Sequence, residues 1–179
     1  VEKDLLDQKP DVVFVEFSVN DDANEFFMET YESLIRKIYT FDQKTAIIII
    51  NCVRYDDGGS AEVWHAKVAR YYELPQISMQ RSIYPEVAAG RISAEEITAD
   101  YLHPNDIGHE LVAGVIESFL EEVYTEREQK EAEAEDKAPL TEASYQHAVR
   151  YRNDNCDPAI TGDWKKDCLL YTSPSPRDG

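Results

Sequence analysis

The sequence predicts an α/β protein: a three-layer sandwich in which helices cover both faces of a parallel sheet. Two observations lead there. Short β-branched and aromatic runs alternate with longer stretches whose apolar residues recur at helical spacing. The two best runs, within Pro10–Ser18 and Lys44–Val53, are apolar at nearly every position, as strands are when both of their faces are covered.

The elements follow in order. Pro10-Asp-Val-Val-Phe-Val-Glu-Phe-Ser18 reads as a strand, opened by its proline and bounded by Ser-Val-Asn-Asp-Asp turn chemistry. From Asp22 to about Tyr39 the period changes to helical, with Phe27, Tyr31, Leu34, Ile35 and Ile38 on one face and Asp21 or Asp22 able to cap the start. Lys44 to Val53 is the clearest buried strand, and Asp56-Asp-Gly-Gly-Ser60 breaks it. Val63, Trp64, Lys67, Val68, Tyr71 and Tyr72 mark a second helix, and Leu74 to Ser78 a third strand. A third helix is expected from Gln80 to Ala89, ending at Gly90, followed by a helical turn at Ser93–Ile97. Asn105 then caps a long final helix whose apolar face runs from Ile107 to Val123.

Strand and helix alternating three times is the pattern of βαβ units. Three strands make a thin sheet for this architecture. The chain also opens on Val1, and Val1–Leu6 reads as the end of a helix already under way. The first strand or strands are therefore expected to be missing. Four segments follow: a partial α/β domain over 1–124, an acidic helical extension or linker over 125–137, the start of an appended module over 138–168 for which a β-rich fold is one option, and a compositionally foreign tail over 169–179, expected to be non-native.

Composition excludes several classes. A formal charge of −18 repels phosphate backbones, so nucleic acid is not an expected partner. No apolar run is long enough to span a membrane. Cys52 ends an apolar run and reads as a buried small hydrophobe, while Cys156 and Cys168 could pair in an oxidising compartment. No cysteine or histidine spacing suits zinc. Asn153, Asn155 and Asp157 lack the glycine of a calcium loop, so no metal or other cofactor is expected.

Two places carry chemistry. Asn20 stands at the carboxyl end of the first predicted strand, the edge at which open α/β sheets bind ligands. An amide N–H there could stabilise a developing oxyanion, or Asn20 could simply shape the turn. Asp100-Tyr-Leu-His103-Pro104-Asn105 sets a carboxylate two residues before a histidine in a tight loop. Histidine moves protons near neutral pH, and a carboxylate on its far nitrogen fixes the tautomer. A bare pair of this kind also arises by chance, with the aspartate on the surface and the histidine serving the helix start.

Their order is more specific than either alone. A strand ending in an Asn-Asp turn, a later Asp-x-x-His-Pro-Asn and a terminal amphipathic helix resemble GDSL/SGNH ester hydrolases over Pro10 to Val123. The resemblance implies a flavodoxin-like SGNH hydrolase fold and cleavage of small acyl esters, with O-acetyl groups on carbohydrate as one candidate. It implies that His103 is the base, that Asp100 orients it, and that Asn20 joins the oxyanion hole. Ser18 stands where the family usually has glycine, and the block with the nucleophilic serine has no counterpart here, so that serine is expected upstream of Val1. Ser18 itself lies in the wrong block to serve. The competing reading is a non-catalytic binding module with Asp100 and His103 structural. A nucleotide binder would need a glycine-rich turn after a strand, and none exists.

His65 reads as a packing or surface histidine on the second helix. His109 falls one turn into the last helix and His147 in the unplaced region. Glu16 inside an apolar strand implies strand-end exposure or a buried hydrogen bond.

Overall fold

The computed structural model describes residues 1–151 except 3, 43 and 126–136. Most of the 125–137 extension and all of 152–179 lie outside the described residues, together with Cys156, Cys168 and the Asn153, Asn155 and Asp157 cluster. Residues 1–147 form one compact unit. A second unit opens at Ala148 and is described only to Tyr151.

The sheet is three-stranded and parallel, in the order β1 (Val12–Glu16), β2 (Ala46–Asn51), β3 (Gln76–Ser78). In register, Glu16 stands opposite Ile50 and Asn51 opposite Ser78, so all three strands end at one edge. Alternation along the strands assigns the two faces. Val13, Val15, Ile47 and Ile49 pack with Tyr31, Ile35 and Ile38 of α1 (Glu25–Phe41) and Val68 and Ala69 of α2 (Glu62–Tyr71). Ile48, Ile50 and Ile77 pack on the other side. That layer holds α3 (Met79–Ser82), α4 (Tyr84–Ala88), α5 (Ala94–Ile97) and α6 (Asp106–Thr125). This is the predicted α/β/α sandwich with helices on both faces.

Three details differ from the sequence expectations. β1 is covered on one face only: Val12 and Phe14 are 45% and 44% exposed, because the second helical layer lies against β2 and β3. The cap of α1 is Asn24, whose side chain accepts from Phe27 N–H at 3.0 Å, and not Asp21 or Asp22. The helix expected over 80–89 is two short ones: Pro85, which has no N–H to donate, sits in the first turn of α4 just past the break at Ile83. Gly90, at φ +68°, does end that segment. No described helix is long and apolar enough to cross a membrane.

Residues 137–147 return across α1. Glu32 is fully buried on that helix, and its carboxylate accepts from Tyr72 OH, from the N–H of Leu140 and Thr141, and from the Thr141 hydroxyl. One turn on, Arg36 donates to Gln146 Oε1 (2.8 Å), Lys137 O (2.7 Å) and Tyr72 OH (3.0 Å). Burial pushes the Glu32 carboxyl up, but these hydrogen bonds outweigh it and hold it below its ordinary value of 4.5. Its contribution is therefore present above that value and lost as pH falls through the lower, folded one. Glu32→Gln keeps one acceptor and turns an NH₂ toward facing donors, so a loss of about 1.5 kcal/mol at pH 7 is expected. Urea unfolding of both proteins at pH 7 and pH 4 measures it, and the gap should narrow in acid.

Candidate active site

The carboxyl edge of the sheet carries both predicted site segments. After β1 the chain turns through Phe17–Asp21, with the N–H groups of Asn20 and Asp21 both donating to Phe17 O at 3.0 Å. Glu16 is explained here: its Oε1 accepts from Ser18 N–H (3.0 Å) and Ser18 Oγ (2.9 Å), so the carboxylate closes the strand end. Ser18 is fully buried, and Cys52 O lies 3.0 Å from the same hydroxyl, whose one proton the two acceptors share. Asn20 itself is exposed, and its side chain bonds none of the described residues.

The second segment is a tight loop between α5 and α6. Tyr101 adopts φ +62°, a left-handed conformation that costs about 1–2 kcal/mol in a residue with a Cβ. It is held there by its N–H on Thr98 Oγ1 (3.0 Å) and by its carbonyl, which accepts from Tyr55 N–H at 2.7 Å. The turn lets Asp100 and His103 meet, with His103 Nδ1 2.6 Å from Asp100 Oδ2. Asp100 Oδ1 accepts from the N–H of Leu102 (3.1 Å) and His103 (2.7 Å). The bond to His103, followed by those two backbone N–H groups, lowers the Asp100 carboxyl to about 2. Asp100 is therefore ionised at neutral pH, which assigns the Nδ1 proton to the imidazole and leaves Nε2 as the basic nitrogen. The His103 side chain is 78% exposed. Asn105 caps α6 as expected, accepting from Gly108 N–H at 3.0 Å, and its own amide donates to Glu96 O.

Both segments hang on the loop that follows β2. Ala61 N–H donates to Ser18 O at 2.7 Å, and Tyr55 N–H to Tyr101 O, so the Asn20 turn and the Asp100–His103 loop share one edge. Within that connecting loop Gly58 is required by its φ of +74°; the Tyr84 ring that a Cβ there would meet at 2.8 Å is the end of a side chain and can turn aside. Cys52, at the loop's start, is half-buried, and burial pushes its thiol up to about 12.

His65, which the sequence leaves as a packing or surface histidine, is a packing one with a polar contact beside Asn20. It is 1% exposed, its ring stacks on Tyr31 at 3.7 Å between centroids, and its Nε2 lies 2.9 Å from Asp21 Oδ2. Nothing in the pattern of a helix separates such a histidine from one that faces solvent. His109 and His147 are exposed. No cluster of described residues could hold a metal ion.

Burial lowers the His65 imidazole to about 4, against a raising influence from Glu16. A histidine depressed from 6.5 favours the neutral folded state, so its contribution is complete above pH 6.5 and is lost as pH falls toward 4. Full loss corresponds to about 3 kcal/mol. Asp21, pushed up by its own burial and by Asp22, works in the opposite sense at lower pH. The His65→Gln variant should therefore lose less stability than the parent between pH 6.5 and 4.5, as read by urea midpoints.

No protein-family model matches the chain, and no curated protein is similar enough to match. Among solved structures the chain is similar to the crystal structure of a two-domain esterase active on acetylated mannans, with 52% identity and a TM-score of 0.82 over 86% of this chain and 41% of that one. A crystal structure of such an esterase co-crystallised with mannopentaose gives 52% identity and a TM-score of 0.79, over 86% and 40%. The chain thus spans about two-fifths of the length of these esterases and shares their fold over that part.

Proposed function

We propose that the chain is part of a serine ester hydrolase of the SGNH type that removes O-acetyl groups from carbohydrate, acetylated mannan among the candidates. The observation that carries this reading is the Asp100–His103 pair: an ionised carboxylate on Nδ1 of an exposed imidazole, at the carboxyl edge of a parallel sheet. The esterase neighbours support the substrate class.

In this mechanism His103 Nε2 takes the proton of a serine hydroxyl as its oxygen attacks the ester carbonyl. The carbonyl π electrons move onto oxygen, where the Asn20 amide donates a hydrogen bond to the oxyanion. On collapse the C–O bond to the sugar breaks, and the imidazolium returns its proton to the leaving alkoxide. Water then hydrolyses the acetyl-serine by the same base. The serine is assigned to sequence outside these 179 residues, because the block that carries it in the resembled family has no counterpart here, and the Ser18 hydroxyl is buried and committed to Glu16 and Cys52 O.

The test is hydrolysis of p-nitrophenyl acetate and acetylated mannan, by this chain and by a longer chain that carries the assigned serine. The longer chain should turn over both and the 179-residue chain neither. Asn20→Ala should cost the longer chain roughly 100- to 1000-fold in kcat. Turnover by the short chain that Ser18→Ala abolishes would sink the assignment of the nucleophile.

A further inference from the structure

Because the Asn20 side chain makes no hydrogen bond among the described residues, its direction is set by the turn on which it stands. Local bonds fold that turn: two N–H groups on Phe17 O, and the Ser18 hydroxyl on Glu16 and Cys52 O. Two ties run from the turn toward α2. One is the backbone bond from Ala61 N–H to Ser18 O, and the other is the side-chain contact between Asp21 and His65. We propose that His65 is a positioning residue for the oxyanion donor, its Nε2–H bond to Asp21 fixing the backbone on which the Asn20 amide is presented. The proposal rests on the reading of Asn20 as that donor.

Three features support it. His65 is a poor choice for packing alone: its ring is 1% exposed and Nδ1 has no hydrogen-bond partner among the described residues, a cost that a phenyl ring would avoid. What an apolar ring could not supply is the hydrogen bond that the His65 side chain makes, to the residue directly after Asn20. The ring is also immobilised, lying within 5° of parallel to Tyr31 of α1 while anchored on α2. The turn is thereby coupled to both helices of one layer. Catalytic donors must be held to about 0.5 Å, and a side chain locked by packing can do this where a free loop cannot.

The experiment compares His65→Phe, which keeps the stack and loses the donor, with His65→Gln, which restores a donor. In the 179-residue chain, amide hydrogen exchange is followed by NMR at Asn20 and Asp21, with Ile49 of β2 as the core reference. Loss of a hydrogen bond to a carboxylate should speed exchange at Asn20 and Asp21 by about tenfold in His65→Phe, with Ile49 unchanged and most of the protection restored in His65→Gln. Unchanged exchange at the turn, or an equal rise at Ile49, would overturn the proposal.

In the longer chain with esterase turnover, His65→Phe should lower kcat with KM held, and His65→Gln should recover it. If Asn20→Ala lowers kcat and His65→Phe does not, the positioning role fails while the oxyanion reading stands. If Asn20→Ala leaves kcat unchanged, the oxyanion reading fails and the positioning role fails with it. Altered exchange would then record only how His65 holds the turn.

Discussion

Asp100→Asn is expected to leave the fold intact and to lower kcat by about 10⁴-fold in a chain that carries the nucleophile. The size follows from the way Asp100 is bonded. Its Oδ1 accepts two backbone N–H groups, from Leu102 and His103, while Oδ2 faces His103 Nδ1. An asparagine would keep its carbonyl oxygen on the two N–H donors, which forces its NH₂ toward the imidazole. Nδ1 must then accept, the ring proton moves to Nε2, and the nitrogen needed as a base is occupied. The fold should survive because the loop's backbone bonds are retained and the site is exposed. Steady-state kinetics on p-nitrophenyl acetate, with circular dichroism as the control for folding, decides it. A kcat within about tenfold of the parent would remove Asp100 from this role.

Gly108→Ala is the second large effect, and it acts on the same loop from behind. Gly108 is buried in the first turn of α6, where a Cβ would overlap the Ile97 carbonyl oxygen and sit 2.9 Å from Pro104 Cβ. The first of these is backbone, already accepting from Asn105 N–H, so it cannot swing aside as a side-chain end would. Alanine outscores glycine inside a helix by about 1 kcal/mol, but overpacking against fixed backbone outweighs that, and a net loss of about 3 kcal/mol is expected. Gly114→Ala on the same helix is the control: its Cβ would meet nothing, so stability should hold or rise. Urea unfolding at pH 7 compares the three proteins. Because Ile97 and Pro104 bracket the Asp100–His103 turn, Gly108→Ala should also depress turnover at temperatures where it remains folded.

The features legible in the sequence were those that repeat. Near-continuous apolarity marked β2, helical spacing marked α1 and α6, and the Asp-x-x-His-Pro-Asn string placed the loop and its cap. What escaped was set by single contacts. Asn24 caps α1 while Asp21 faces His65, a choice that capping preference cannot make between neighbouring Asp and Asn residues. The break between α3 and α4 turned on one proline inside an otherwise helical pattern. Burial of one face of β1 rather than two depended on where the second helical layer stopped, which no local window reports. The return of 137–147 across α1 has no period at all. Its backbone N–H groups are met by a carboxylate more than a hundred residues earlier, so the sequence there looks structureless.

That return determines where the domain can be cut. A boundary drawn from helices alone would fall after Thr125, at the end of α6. Excision there would leave the Glu32 carboxylate without the two N–H groups and the hydroxyl that neutralise its burial, and would strip Arg36 of Gln146 and the Lys137 carbonyl. Glu32 and Arg36, one turn apart on α1, would keep their bonds to Tyr72 OH, and water would have to replace the lost partners. A domain prepared for expression or limited proteolysis should therefore run to His147, with the peptide returning over α1 kept as its last structural element.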